Sequence, residues 1–354
     1  MSILLQASAI IDAIANPGLL LGAFAGGAFG AAVGALPAVC FTGFMVIAGT
    51  AASFGSGDLA GSITGSIAFG TVFGPHISFA GGAAATAYAA KKGYMDDFGF
   101  DYHEAKNIPA ALGTEPDVLA VGGLFGILGY IITAISGTVG LPWDPIAVAV
   151  VLSAVAHRLA FGYDLIGPVA GSGLFDMGPF EREEMRAASS GAGAMTDGGE
   201  PAQRLATEPW LPHQYKWGNV AMLGLVAGLL GGVTALTTGS PFLAFGISAA
   251  SLTFLNLGVE KVPVTHHITL PASTAALAFT NNTPEVGAAA MIVAGVFGIS
   301  GALFGEVIQR IFYAHGDTHF DPPAAAIVIN TFFIAVLAIA GVFPTAVWVP
   351  TLGM

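Results

Sequence analysis

Gly18-Leu-Leu-Leu-Gly-Ala-Phe-Ala-Gly-Gly-Ala-Phe-Gly-Ala-Ala-Val-Gly-Ala-Leu36 runs for 19 residues without an Asp, Glu, Lys or Arg. As a helix it is about 28 Å long, close to the ~30 Å hydrocarbon core of a bilayer. Ile146 to Ala156 is a second such block, and over the whole chain 55% of residues are hydrophobic and 9% charged. Soluble domains carry about a quarter charged residues, so water is the wrong solvent for this chain. The 50 glycines are poor helix formers in water but let helices approach closely in lipid. A transmembrane β-barrel needs polar-apolar alternation, which these runs lack. The expected fold is an all-α polytopic membrane protein.

Proline, glycine and charge signals cut the chain into ten expected spans: Gly18 to Leu36, Val39 to Ala52, Leu59 to Ala90, Val118 to Ile135, Ile146 to Phe161, Asn219 to Leu236, Phe242 to Leu257, Val262 to Thr280, Val286 to Gln309 and Ala324 to Val347. Lys and Arg stay in short cytoplasmic loops. With ten alternating spans, Lys91, Lys92, Lys106, Arg158, Arg182, Arg186, Arg204, Lys216, Lys261 and Arg310 all fall on one face, while the opposite loops carry Asp12, Asp58, Asp144 and Glu285. The plasma membrane is the expected location, with both termini outside and the loop from 162 to 217 inside. The organisation is then an interfacial segment (1–17), a first membrane unit (18–161), an acidic cytoplasmic linker (162–217), a second membrane unit (218–347) and a tail (348–354). Glu306, Gln309 and Arg310, like His157 and Arg158, read as snorkelling interfacial groups, and Cys40 as a packing residue.

The net charge is −12, a surface that repels nucleic acid. In molar salt, repulsion is screened within about 3 Å, so the acidic loops fit a halophilic, archaeal source. Four short matches recur in order on the two sides of the linker. Gly22, Gly26 and Gly30 match Gly224, Gly228 and Gly232; His76-Ile77-Ser78 matches His267-Ile268-Thr269. Pro116-Asp117-Val118 matches Pro284-Glu285-Val286, and Asp144-Pro145 matches Asp321-Pro322. Five spans per copy is odd, so the second copy enters upside down. Inverted repeats of this kind place a substrate site near the bilayer midplane.

Gly70-Thr-Val-Phe-Gly-Pro-His-Ile-Ser78 predicts a helix break inside the third span, because proline removes a donor and glycine loosens the chain. Its counterpart is Asn256-Leu-Gly-Val-Glu-Lys-Val-Pro-Val-Thr-His-His-Ile-Thr269. Helix ends and free carbonyls at such breaks can hold an anion or a small cation. The candidate substrate or ion site is therefore Gly74, Pro75, His76, Ser78, Thr265, His266, His267 and Thr269. Glu260 joins it if the repeat holds in detail, and lies in a cytoplasmic turn if the charge count does. His315, Asp317, His319 and Asp321 alternate, as an extended metal-binding loop would place its ligands; a solvated turn is the competing reading. Walker, zinc-protease, nucleophile-elbow and dinucleotide motifs are absent, so neither an enzyme nor a cofactor is expected.

Leu19 to Pro37 resembles the first span of the large permease subunit of tripartite tricarboxylate transporters. Phe69-Gly-Thr-Val-Phe-Gly74 resembles that family's aromatic-glycine segment, and Ala110-Ala-Leu-Gly113 resembles the stretch after its next loop. The similarity covers at most a third of the chain. That family carries Pro-Gly where this chain has Pro37-Ala38, and its second Pro-Gly turn is missing near His76. The resemblance implies cation-coupled carboxylate uptake with a separate binding protein.

The expected function is a secondary-transporter-like permease for a small solute or ion, coupled to protons or sodium, with histidine protonation as one coupling device. The alternative is a non-transporting integral subunit or scaffold of a larger membrane complex. Expected partners are the lipid bilayer, a small solute or ion, and a second copy or accessory subunit.

Overall fold

The computed structural model describes residues 10–12, 14–55, 61–95, 100–187 and 203–353. Asp58 and the stretch 188–202 of the central loop lie outside the described residues. The described residues are mainly helical, with one two-stranded antiparallel sheet among them, β1 (Met185–Ala187) and β2 (Gln203–Leu205), in register Arg186 to Arg204.

The principal helices are α1 (Pro17–Val33), α2 (Ala35–Ser53), α3 (Ser78–Lys92), α4 (Pro116–Val139), α5 (Pro145–Phe161), α6 (Trp217–Thr238), α7 (Leu243–Asn256), α8 (His266–Phe279), α9 (Ala288–Ile308) and α10 (Pro322–Ile339). Short π-helices precede the break before α3 (Ser62–Ala68) and extend α9 (Gln309–Tyr313). Helix starts follow local chemistry. Proline occupies the first turn of α1, α4, α5 and α10, where its missing N–H costs nothing, and Asp144 and Asp321 cap α5 and α10 with their side chains. Gly34 separates α1 from α2 at φ 95°, and a Cβ there would sit 2.8 Å from the Pro109 carbonyl.

Glycines set the packing. Gly27 of α1 and Gly81 of α3 both meet the backbone of Gly122 on α4, so α1, α3 and α4 form one close-packed group. Gly224 and Gly228 of α6 meet Gly298 of α9, and α8 packs on both. The two groups join where Gly43 of α2 crosses Gly246 of α7, and where the Asp144 N–H donates to Thr331 Oγ1 of α10 at 3.0 Å. Val39, Phe79, Val150, Phe245, Leu270 and Ile327 converge in the core between them.

Among the described residues, five helices are long and apolar enough to cross a membrane: α2, α4, α6, α9 with its π extension, and α10. Helices α1, α5 and α7 are apolar but shorter. Together they are consistent with a membrane protein. The 15 residues of α3 and 14 of α8 reach only about 22 Å, and both helices are buried along nearly their whole length.

Two expectations about segments change. The last helix ends at Ile339 rather than Val347; Phe343, Ala346 and Val349 of the following coil pack against α8 and α9. The central loop is not simply a solvated linker. Its described parts fold onto the helices, with Met177, Arg204, Thr207, Glu208, Leu211 and Tyr215 buried.

Candidate functional site

The break predicted in the third span is present. The π-helix ends at Ala68, residues 69–77 are irregular, and α3 starts at Ser78. The Ala80 N–H bonds back to the Pro75 carbonyl at 2.9 Å, which leaves the next carbonyl, that of His76, pointing at the face of α4 where only Gly129 leaves room. The counterpart begins the same way. Residues 257–265 are irregular, α8 starts at His266, and Pro271 has no N–H to offer the His267 carbonyl. That carbonyl abuts Gly301 of α9, where a Cβ would lie 2.6 Å away.

Between the two helix groups lies a cavity of about 330 Å³. Pro75 and Phe79 reach it from the first break and its helix, His266 and Leu270 from the second, and the capping carboxylates Asp144 and Asp321 from the starts of α5 and α10. Phe245, Phe69, Phe242 and Trp348 form a continuous aromatic wall, with ring centroids 5.8, 5.2 and 5.4 Å apart in turn. Trp348 comes from the coil after α10, its indole N–H donating to Thr274 Oγ1 at 3.0 Å. From the central loop come Trp210 and Leu211, beside Lys106, Tyr313 and His319.

The predicted site residues divide around this cavity. Pro75 and His266 line it. His76 and His267 do not, although each is buried beside it, and the Nδ1 atoms of His76, His266 and His267 have no hydrogen-bond partner among the described residues. Trp210 packs edge-on to His267 at 5.9 Å. Thr265 pairs with Ser248 at 2.6 Å, while Ser78 and Thr269 turn back to the carbonyls of Gly74 and His266. Gly74 lies in the break itself, its amide bonded to the Gly70 carbonyl. Glu260 is not at the site. It and Lys261 are exposed in the turn after α7, with Lys261 at φ 62°.

The stretch from His315 to Asp321 is neither a solvated turn nor a convergent ligand set. His315, Asp317 and His319 are all buried, and among the described residues no three His, Cys, Asp or Glu side chains gather as metal ligands would. Alternation on an extended strand fails because the four residues do not turn toward one point. His315 meets the Leu174 carbonyl (3.3 Å), Asp317 pairs with Arg204 (2.8 Å), and His319 with Asp321 (3.2 Å).

Charged groups of the loops, and those read as interfacial, are likewise inside. Lys106 and Glu208 form an ion pair at 2.6 Å with neither side chain exposed, and Glu208 also faces Arg204 at 3.5 Å. Burial lowers the Lys106 amine to about 8, with Glu208 opposing that shift. Arg158 is fully buried, donating to the Thr318 hydroxyl and carbonyl, and His157 meets the same hydroxyl. Glu306, Gln309 and Arg310 form a buried cluster, with Arg310 bonded to the Tyr215 carbonyl at 2.8 Å and Gln309 accepting from the Trp210 N–H at 3.1 Å. Charged groups buried this deeply need such partners, and the central loop supplies them. The sequence assigns no site role to Lys106, Glu208 or Asp144, and presents Asp321 as a metal ligand rather than a helix cap at the cavity. For the aspartates a signal existed: Asp-Pro is a capped helix start, and the pair recurs in both halves.

Fold and site together define an all-α protein with bilayer-length apolar helices around a central, largely apolar cavity. The chain belongs to a family of unknown function (DUF7973), matched over residues 9–352. No curated protein and no solved structure matches it.

Proposed function

We propose that the protein is a secondary-transporter-like permease of inverted-repeat design, with the central cavity as its solute site. The observation that carries this reading is that two buried half-length helices, α3 and α8, begin at breaks whose residues Pro75 and His266 meet at one cavity. Discontinuous helices at a midplane site are how many transporters present backbone dipoles to a solute.

The repeat is supported by which residues share the cavity. Pro75 and His266, and Phe79 and Leu270, are each 191 positions apart. Asp144 and Asp321, Ala147 and Ala324, and Val150 and Ile327 are each 177 apart, and all six line it. Glycine contacts refine the alignment: Gly27 meets Gly122 and Gly126 as Gly228 meets Ala294 and Gly298, which moves the glycine match one residue from its sequence register. Pro116 opens α4 whereas Pro284 precedes α9, so that match shifts by a few residues.

On this reading, ten spans run with both termini outside and the central loop in the cytoplasm, and protons or sodium ions drive the cycle. The cavity favours transport over a scaffold role, since a docking subunit has no need of a hollow core. Cys40 is the chain's single cysteine, which permits a test that needs no known substrate. In a Cys40→Ser background, Ile327→Cys in oriented membrane vesicles is labelled by an impermeant maleimide from each side separately. Labelling from both sides is expected of alternating access; labelling from one side only would remove the assignment.

A further inference from the structure

We infer that the solute is predominantly apolar: a neutral or singly charged molecule with an aromatic or branched hydrocarbon body, not a polycarboxylate and not a divalent metal ion. This rests on the cavity being the transport site and narrows what that site takes.

The wall decides the class. One side is the aromatic row from Phe245 to Trp348; Ile146, Val150, Leu270 and Ile327 contribute aliphatic surface. The charged groups that reach the cavity are already engaged. Lys106 is the one Lys or Arg among its described lining residues, and it is held 2.6 Å from Glu208. Asp144 accepts from the Ile146 and Ala147 amides at 2.8 and 3.3 Å. Asp321 accepts from the Ala324 amide at 2.8 Å and faces His319 at 3.2 Å. A tricarboxylate would bring several charges into this space with no uncommitted cation to meet them, and burying an unpaired charge is strongly unfavourable.

A divalent metal ion fares no better, because among the described residues no three carboxylates and imidazoles converge. What the cavity offers a polar group is limited to a few lining side chains, Asp144, His266, Tyr313, His319 and Asp321, set in an otherwise apolar wall. At interior packing density of ~0.75, the space of about 330 Å³ holds on the order of 250 Å³ of solute, the scale of two aromatic rings.

Trp210 and Trp348 line the cavity and report its occupancy. In the full-length protein with Trp143→Phe and Trp217→Phe, 4-nitrobenzyl alcohol, a neutral aromatic quencher, is titrated in lipid nanodiscs. Saturable quenching, displaced by phenol and not by citrate, is expected. Ala147→Phe fills the cavity and should weaken the probe at least tenfold; Val150→Phe is the second filling variant if the first does not fold. Displacement by citrate, or quenching that never saturates and is equal in the filled variants, would overturn the assignment. Saturable quenching with one-sided maleimide labelling defeats transport while keeping the ligand class. Two-sided labelling with citrate displacement does the reverse.

Discussion

Glu208→Gln removes one partner of an ion pair in which neither side chain is exposed. The ammonium of Lys106 then keeps its burial and loses the carboxylate 2.6 Å away, a change that costs about 3–5 kcal/mol where a buried pair is broken from one side. Arg204 retains Asp317 at 2.8 Å, so the loss centres on Lys106. Replacing both members, Lys106→Met with Glu208→Leu, removes the uncompensated charge and should return stability to within about 2 kcal/mol of wild type. The residual loss comes from the contact of Lys106 with the Tyr313 ring at 4.5 Å, worth up to ~2 kcal/mol when desolvated. Denaturation in mixed micelles, followed by tryptophan emission, gives the three values. A single-variant loss below about 1 kcal/mol is what an exposed pair would give, and it would refute the reasoning. The pH dependence adds a second check. Burial holds Lys106 down to about 8 in the folded protein, while an unfolded lysine titrates near ~10.4. Between those values the unfolded chain binds more protons, so this group makes stability rise with pH across the window. In Lys106→Met that contribution vanishes.

Three further outcomes are expected. Gly301→Ala places a Cβ 2.6 Å from the His267 carbonyl and should destabilise by about 1–3 kcal/mol, whereas Gly218→Ala, with nothing within 4 Å, should be neutral or stabilising by up to ~1 kcal/mol; equal melting temperatures would contradict the close packing of α8 on α9. Asp144→Ala and Asp321→Ala each remove a helix cap, at about 1 kcal/mol apiece, with Asp321→Ala the larger because it also loses His319, as read by the same denaturation. With a net charge of −12, raising potassium chloride to about 1 M should hold or raise the melting temperature, since repulsion is then screened within about 3 Å; a fall would speak against the halophilic reading.

Much of the helical framework was legible because membranes impose simple rules. Uncharged runs bounded by Pro and Gly gave most helices to within a few residues, and Gly74-Pro75 marked a break that depends on two adjacent residues. Buried charge was not legible. Lys106 and Glu208 lie 102 positions apart, and no local pattern distinguishes a loop lysine in water from one paired inside. The same holds for Arg158, whose partners Thr318 and Leu165 lie in segments that read as loop. His76 and His267 were found by their ionisable chemistry, but the break turns their neighbours Pro75 and His266 toward the cavity, a rotation of one residue that only backbone geometry fixes.

The short length of α3 bears on how the chain is made. Its 15 residues are mostly alanine and glycine and end in Lys91-Lys92, so once the break at residues 69–77 parts it from the uncharged stretch before it, it is shorter than the ~20 residues a bilayer needs. Much of its enclosure comes from α4 and α5, translated after it, and the Glu208 that neutralises the neighbouring Lys106 comes later still. On the proposed membrane reading, the first half therefore settles only when downstream sequence arrives: a ribosome stalled before α5 would hold an incompletely covered helix, and one stalled before residue 208 an unmatched charge, each a natural substrate for membrane quality control.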